Sequence, residues 1–161
     1  MANVEINDLS AKATPVASDE IEIQETGGGT SYKATLANTG KAITRALYIP
    51  VGDETTALTT GTAKATFRTP FAFQITAVRI SVTTAPTGST LIVDVNEGGT
   101  TILSTKLSID VSEKTSTTAA TAAVVSDASL ADDAEITIDI DQIGSTVAGA
   151  GLKVWLIGLQ Q

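Results

Sequence analysis

The sequence predicts an all-β protein, an antiparallel β-sandwich of jelly-roll type preceded by an extended N-terminal arm with a small hairpin. The 161 residues include 27 Thr and 23 Ala but only six aromatic residues, and β-branched Thr suits a pleated surface with one wet face. After residue 61, alternating segments recur at intervals of roughly ten to fifteen residues, with turn residues between them. No strong helix signal and no alternation of strands with helices follows residue 60, which favours antiparallel sheets.

The composition excludes several classes of function. The chain contains no Cys and no His, which excludes disulfides, thiolate zinc sites, cysteine nucleophiles and histidine acid–base catalysis. A net charge of −8 has the wrong sign for a nucleic-acid partner. The apolar runs are too short to cross a membrane, and the N-terminus shows no secretion signal. We therefore expect a protein without cofactors that is made in a cytoplasm.

Residues 1–50 form a predicted arm with too few apolar residues for a core of its own. Within it, Glu20–Glu25 alternates strictly, which predicts a strand with Ile21 and Ile23 on one face. The cluster Gly27–Gly29 separates this strand from a second extended run at Thr30–Leu36, so the two runs predict a β-hairpin. We expect the arm to dock on another protein surface. Its candidate anchoring side chains are Ile6, Leu9, Ile21, Ile23, Tyr32 and Leu36.

The second predicted domain, residues 51–161, begins within a connector at Tyr48–Thr62. A strand is predicted at Lys64–Arg68, and a longer one follows at Phe71–Thr83. In the longer strand the apolar residues change from odd to even positions, which indicates a bulge near Thr76 and Ala77. Thr90–Asn96 is the next predicted strand.

Glycines and alternating residues mark the rest of the predicted sandwich. Gly98 and Gly99 predict a tight hairpin after Asn96, because glycine accepts positive φ without a steric clash. Val111–Ala122, poor in large side chains, predicts a surface crossing. Ala134–Asp141 alternates most cleanly, with three isoleucines facing inward.

Leu152–Leu159 is the closing strand, and it is apolar on both faces. Such a strand is either central in its sheet or buried at a contact between subunits. Because it carries the single Trp of the chain, the sequence favours partial burial against a neighbouring copy. The candidate interface residues are Trp155, Ile157 and Leu159.

Four constellations contain residue types that can carry chemistry or bind a ligand. The acidic set comprises Asp94, Asn96, Glu97, Asp139 and Asp141. These oxygens suggest a Ca²⁺ site or a glycosidase pair, but their spacing matches no EF-hand loop. Carboxylates that keep a strand face solvated and block edge pairing are the favoured interpretation, so we expect no bound metal and no catalytic residue.

The other three constellations also favour structural interpretations. Gly144–Gly151 lacks the Gly-Lys-Ser/Thr of a phosphate loop and predicts a turn. Thr115–Thr121 is too irregular for an ice-binding or polysaccharide-binding array and predicts a loop. Phe67, Phe71 and Phe73 beside Arg68 form either a core cluster, which is favoured, or a patch that binds a sugar or a partner.

Several stretches resemble structural proteins of tailed bacteriophages. In the second domain, Thr55–Gly61 through Phe67 and Arg68, Ala85–Thr90 and Ile136–Thr146 resemble a β-sandwich module of those proteins. In the arm, Ile6–Leu9, Ser18–Ile23 and Thr30–Leu36 are similar to N-terminal attachment segments of phage fibres and related virion proteins. The resemblance covers most of the chain. The chain is shorter than a full receptor-binding fibre, which carries a longer shaft or tip.

The resemblance implies a homotrimer located in the virion. The expected function is non-enzymatic: a capsid decoration or cement protein, or a head fibre, that binds the major capsid protein or another virion protein through its arm. The alternative is a short tail fibre or fibre-base module that binds a host-surface glycan. A third interpretation, a glycan-hydrolysing enzyme, requires a cleft with paired carboxylates, and isolated acids alone do not indicate one.

Overall fold

The structure, a computed structural model, describes residues 14–24 and 31–161. The chain divides into two units between Ala42 and Ile43. In the first unit, β1 (Glu20–Gln24) pairs antiparallel with β2 (Ser31–Thr35) and is followed by the short helix α1 (Leu36–Lys41). The predicted hairpin is therefore present. Thr35 caps α1, because its hydroxyl oxygen accepts a hydrogen bond of 3.2 Å from the Asn38 backbone N–H.

The second unit is an antiparallel β-sandwich. Its described strands are β3 (Thr44–Val51), β4 (Gly61–Arg68), β5 (Phe73–Ser81), β6 (Leu91–Glu97), β7 (Thr100–Thr101), β8 (Leu103–Thr105), β9 (Leu107–Ile109), β10 (Val124–Val125), β11 (Ser129–Leu130), β12 (Glu135–Gln142) and β13 (Leu152–Gln160). One sheet has the order β11-β5-β13-β3. The other has the order β4-β12-β6-β7, with β9 also paired to β6, and β8 pairs with β10. The all-β class and the sandwich are confirmed, and the jelly-roll connection pattern stays a prediction.

The first strand of the sandwich covers the end of the predicted arm and the start of the predicted connector. Strand β3 pairs along its whole length with β13, from Leu152 opposite Val51 to Leu159 opposite Thr44. The predicted domain boundary at residue 50 therefore falls inside β3, whereas the division into units lies ahead of it. The signal for this strand is the alternation of Leu47, Ile49 and Val51, which turn towards the core.

The core between the two sheets is aliphatic. Ile136, Ile138 and Ile140 of β12 are at most 1% exposed, and they confirm the inward face predicted for that strand. Across the interior, Val154 and Leu156 of β13 are fully buried. Phe73 is the one aromatic residue among the buried hydrophobic residues of the described chain. A core of branched aliphatic side chains suits two closely packed pleated sheets.

A bulge in β5 changes which of its residues face inward. Ile157 lies opposite Ala77, but the next residue, Gly158, lies opposite Ile75, so Thr76 has no partner in the ladder. Phe73 and Ile75 are buried before the bulge, and Ile80 is buried after it. The bulge predicted near Thr76 and Ala77 is therefore confirmed, and it lets one long strand keep an apolar side on the core.

Glycines fit two crowded or strained positions of the sandwich. Gly98 and Gly99 both have positive φ, 56° and 84°, and form the two-residue turn between β6 and β7. At the bulge, a Cβ on Gly158 would clash with the carbonyl oxygen of Gln74 and lie 3.0 Å from the Ile75 Cα. The backbone of β5 therefore approaches β13 more closely there than a side chain permits.

We predict that Gly158→Ala lowers the free energy of unfolding by about 1–3 kcal/mol, because the methyl group must displace the backbone of β5. The measurement is urea unfolding followed by Trp155 fluorescence. Gly40→Ala is the matched control, since nothing lies within 4 Å of a Cβ at Gly40 in helix α1. A Gly158→Ala protein as stable as the wild type would contradict the close approach.

Candidate functional site

The hairpin of the first unit has one apolar face and one charged face. The register places Ile21 opposite Ala34 and Ile23 opposite Tyr32, so these four side chains share one face. Ile21, Ile23 and Tyr32 are 37%, 47% and 51% exposed. A two-stranded hairpin is only marginally stable alone. An apolar face left in contact with water lowers that stability further. We call these three side chains the hairpin face.

The opposite face of the hairpin is hydrophilic. Lys33 lies opposite Glu22, and its ammonium group forms an ion pair of 2.9 Å with Glu20. The hydrogen bond to Glu20 raises the pKa of Lys33 above its ordinary value. The hairpin is therefore amphipathic: one side suits water and the other suits a protein surface.

The remaining predicted anchoring residues lie beside or beyond the hairpin. Leu36 begins α1, is half-buried, and its backbone N–H donates to the Asp19 carbonyl at 2.8 Å. Ile6 and Leu9 lie outside the described residues. The structure thus brings Ile21, Ile23 and Tyr32 together on one surface.

The predicted interface residues lie on the outer face of the β11-β5-β13-β3 sheet. Alternation along β13 buries Val154 and Leu156 and leaves Trp155, Ile157 and Leu159 half-buried on the other side. Strand β13 is thus central in its sheet, yet its outward side chains are apolar. Of the two alternatives that the sequence offered, the central position is confirmed, and the contact between subunits stays a prediction.

Two rows of side chains cross this outer face. In the first, Tyr48, Trp155 and Arg79 are cross-strand neighbours on β3, β13 and β5, and the Tyr48 and Trp155 rings are 5.4 Å apart. In the second row, Ile157 lies between Ala46 and Ala77. Tyr, Trp and Arg are the residue types most enriched at energetically important interface positions. We call Tyr48, Trp155, Arg79 and Ile157 the aromatic face.

A groove of about 540 Å³ lies next to the aromatic face, between the edge strands β3 and β4. Leu47 of β3, Ala65 and Phe67 of β4, and Pro70 beyond β4 line it. Tyr48 belongs to both the aromatic face and the wall of the groove. We call this feature the edge groove.

The sequence missed two residues of this surface. Tyr48 was placed in a connector, and Arg79 received no role. The alternation of Leu47, Ile49 and Val51 is the signal that identifies β3 and hence the outward position of Tyr48. No local signal identifies Arg79, because its proximity to Trp155 depends on pairing between distant strands.

The acidic constellation is distributed over separate structural contacts. Asp94 is 4% exposed and accepts hydrogen bonds from the Thr101 hydroxyl at 2.6 Å and the Lys106 ammonium at 2.9 Å. Asp141 also binds the Lys106 ammonium, at 2.5 Å. The hydrogen bonds that Lys106 donates to Asp141, the larger cause, and to Asp94 raise the pKa of Lys106. Asp139 lies opposite Asp94 and accepts from the Ala63 backbone N–H at 2.7 Å. Each carboxylate therefore has a defined structural partner.

The remaining constellations also have structural roles. Phe73 is buried, and its ring centroid lies 6.0 Å from that of Phe71. Residues 115–121 form turns and bends outside the named strands. In the glycine-rich segment, Ala150 bridges to Ala57 and Thr84 of neighbouring loops. Among residues 14–24 and 31–161, no cluster of three or more side chains suited to binding a metal is present.

A lysine near the start of β13 joins one end of the same sheet to a neighbouring loop. Lys153 donates to the Glu54 carboxylate at 2.6 Å, to the Thr83 hydroxyl at 2.9 Å and to the Gly151 carbonyl at 3.0 Å. The hydrogen bond from Lys153 to Glu54 is the main cause of the lowered pKa of Glu54. This network holds the 52–60 loop against the start of β13.

Comparison with known proteins identifies no relative. No protein-family model, no curated protein and no solved structure matches the chain. In the part of the chain that the structure describes, no helix is both long and apolar enough to cross a membrane.

We predict that Asp94→Ala lowers the free energy of unfolding by about 1–3 kcal/mol, because it leaves the Thr101 hydroxyl and the Lys106 ammonium without a buried acceptor. The measurement is equilibrium urea unfolding at neutral pH. Asp141→Ala is the matched control, since that exposed carboxylate binds the same lysine and its loss is expected to cost less than about 1 kcal/mol. Equal losses in the two variants would contradict the distinct role of Asp94.

Proposed function

We propose that this chain is a non-enzymatic structural protein of a tailed-bacteriophage virion, a capsid decoration or cement protein or a head fibre. The arm binds the major capsid protein or another virion protein, and the sandwich forms a homotrimer. The hairpin face is the observation that supports this proposal best. Ile21, Ile23 and Tyr32 are exposed together on a unit too small to bury them.

The energetics of the hairpin face favour a role in attachment. Burying one large apolar side chain against a partner contributes roughly 1.5–3 kcal/mol. The burial of several such side chains from one small hairpin would offset the conformational entropy that is lost when a short arm becomes ordered. The opposite face, with its Lys33–Glu20 ion pair, would stay in water. An amphipathic hairpin that precedes a larger sandwich in the chain is suited to anchoring.

The surface of the sandwich suits a position on the outside of a particle. The net charge of −8 keeps copies soluble and repels neighbouring particles. Thr and Ser hydroxyls are abundant in the exposed loops, for example at Thr117 and Thr118. A cement protein in this position would bridge neighbouring capsid subunits and help the shell to resist the pressure of packed DNA.

A second candidate function is recognition of a host-surface glycan. A groove of about 500 Å³ lies on the outer side of the sheet that contains β6 and β12. Lys106, Asp110, Gln142 and Ser108 contribute to its lining and supply donors and acceptors of the kind that bind sugar hydroxyls. These polar groups favour a short tail fibre or fibre-base module as the alternative.

We predict that the double variant Ile21→Glu/Ile23→Glu loses affinity for the virion by at least about tenfold, because two buried apolar contacts become charged. The measurement is co-sedimentation of the full chain with particles that lack this protein. Circular dichroism should show that the sandwich is unchanged.

The matched control is Glu20→Gln/Glu22→Gln, which alters the charged face of the same hairpin. It should bind particles as the wild type does. If the isoleucine variant decorated particles with wild-type affinity, the hairpin face would not be the anchor.

Copy number distinguishes the two candidate functions. Quantitative mass spectrometry of purified virions should find hundreds of copies per particle for a capsid decoration protein. A few copies, or a few dozen, would contradict the decoration role and favour the tail module.

A further inference from the structure

The aromatic face is small for a contact between two copies. Three strands about 4.8 Å apart and about eight residues long, at about 3.3 Å per residue, cover roughly 400 Å². A standard interface buries about 800 Å² on each partner. A stable assembly that uses Trp155 and Ile157 therefore gains from a second surface on each copy, as in a closed ring, where every copy takes part in two contacts.

The edge groove is the apolar surface that adjoins the aromatic face. The two features meet along β3, where Tyr48 belongs to both. One is a raised row of large side chains, and the other is a concavity lined by Leu47, Ala65 and Phe67. Large side chains such as Trp155 and Ile157 are of the kind that fill an apolar concavity at an interface.

Charge favours contact between the aromatic face of one copy and the edge groove of another. At the end of the edge groove, Arg68 lies 3.6 Å from both Asp133 and Glu135, so this cluster carries one net negative charge. The carboxylates are well exposed, at 77% and 51% of their side chains. Arg79, beside Trp155 on the aromatic face, is a positive group that suits this end of the groove.

Side chains rather than backbone pairing would form the contact. Strand β3 is an edge strand, but Pro50 removes one backbone donor from it. Proline is a common means of protecting an edge against the addition of a further strand. Pro50 does not prevent contacts made by the apolar side chains on either face of β3.

We propose that copies of this chain associate head to tail, with the aromatic face of one copy seated in the edge groove of the next. The inference rests on the homo-oligomer of the proposed function and specifies how its subunits meet. Each copy offers both surfaces, so the contact is heterologous and a suitable rotation closes it into a ring. Trp155 and Ile157 enter the groove between Leu47 and Phe67 of the neighbour.

Mixing two defective variants of the full chain tests this arrangement. Trp155→Glu disables the face and Ala65→Glu disables the groove. Sedimentation-velocity ultracentrifugation should show a closed oligomer for the wild type and monomers for each variant alone. An equimolar mixture should give a two-chain species that grows no further, because one intact face meets one intact groove and the other pair is defective.

Other outcomes would overturn the proposal. A mixture that stays monomeric would show that the intact face of one variant does not bind the intact groove of the other. Dimers of either variant alone would indicate that its intact surface pairs with the same surface of a second copy. A monomeric wild type, or variants that remain oligomeric, would show that copies do not meet here. Variants that lose particle binding but keep their oligomeric state would show that a virion protein, rather than a second copy, occupies the surface.

Controls separate misfolding from loss of contact. Thr62→Glu adds the same charge to the same edge strand outside the lining of the groove and should leave the oligomer intact. If Trp155→Glu or Ala65→Glu fails to fold by circular dichroism, Arg79→Glu and Pro70→Glu replace them, since both residues are exposed. Failure of this inference is distinguishable from failure of the proposed function. A monomer that still decorates particles would contradict the head-to-tail contact and support the arm as an anchor. A ring that binds no particle would support the contact and contradict the proposed function.

Discussion

The alternation of side chains along β13 is the constraint on which the rest of the sandwich depends. Every second residue of this central strand points into the core, where Val154 and Leu156 are fully buried between the sheets. The residues between them must point outward, and in this chain they are Trp155, Ile157 and Leu159. A strand apolar on both sides therefore creates a core and an uncovered apolar face at once.

The distribution of aromatic residues follows from the aliphatic core. Branched aliphatic side chains fill the space between two pleated sheets, with Phe73 as the one buried ring among the described residues. Tyr48 and Trp155 are instead adjacent on the outer face. Large side chains of this kind contribute most where they are buried completely, which for this pair requires a partner. The core thus leaves the chain's largest apolar groups available for association.

The acidic residues show how charge is accommodated in a sheet with an exposed face. Asp94 and Asp139 lie directly opposite each other, an arrangement that would destabilise the sheet if both were unpaired. Lys106 compensates the first, and the Ala63 backbone N–H binds the second at a bulge. The groups that suggested a metal or catalytic site in the sequence therefore stabilise the fold. The surfaces that we propose to be functional lie elsewhere, on the hairpin face and beside β3.

The sequence alone determined the features that depend on neighbouring residues. The inward face of Ile136, Ile138 and Ile140, the glycine turn after β6 and the bulge at Thr76 all follow from local alternation and turn chemistry. Only the tertiary structure decided which strands are neighbours. Pairing with β13 places Tyr48 and Arg79 beside Trp155, and the two sheets together form the groove next to β3, because these contacts join segments that are far apart in the chain.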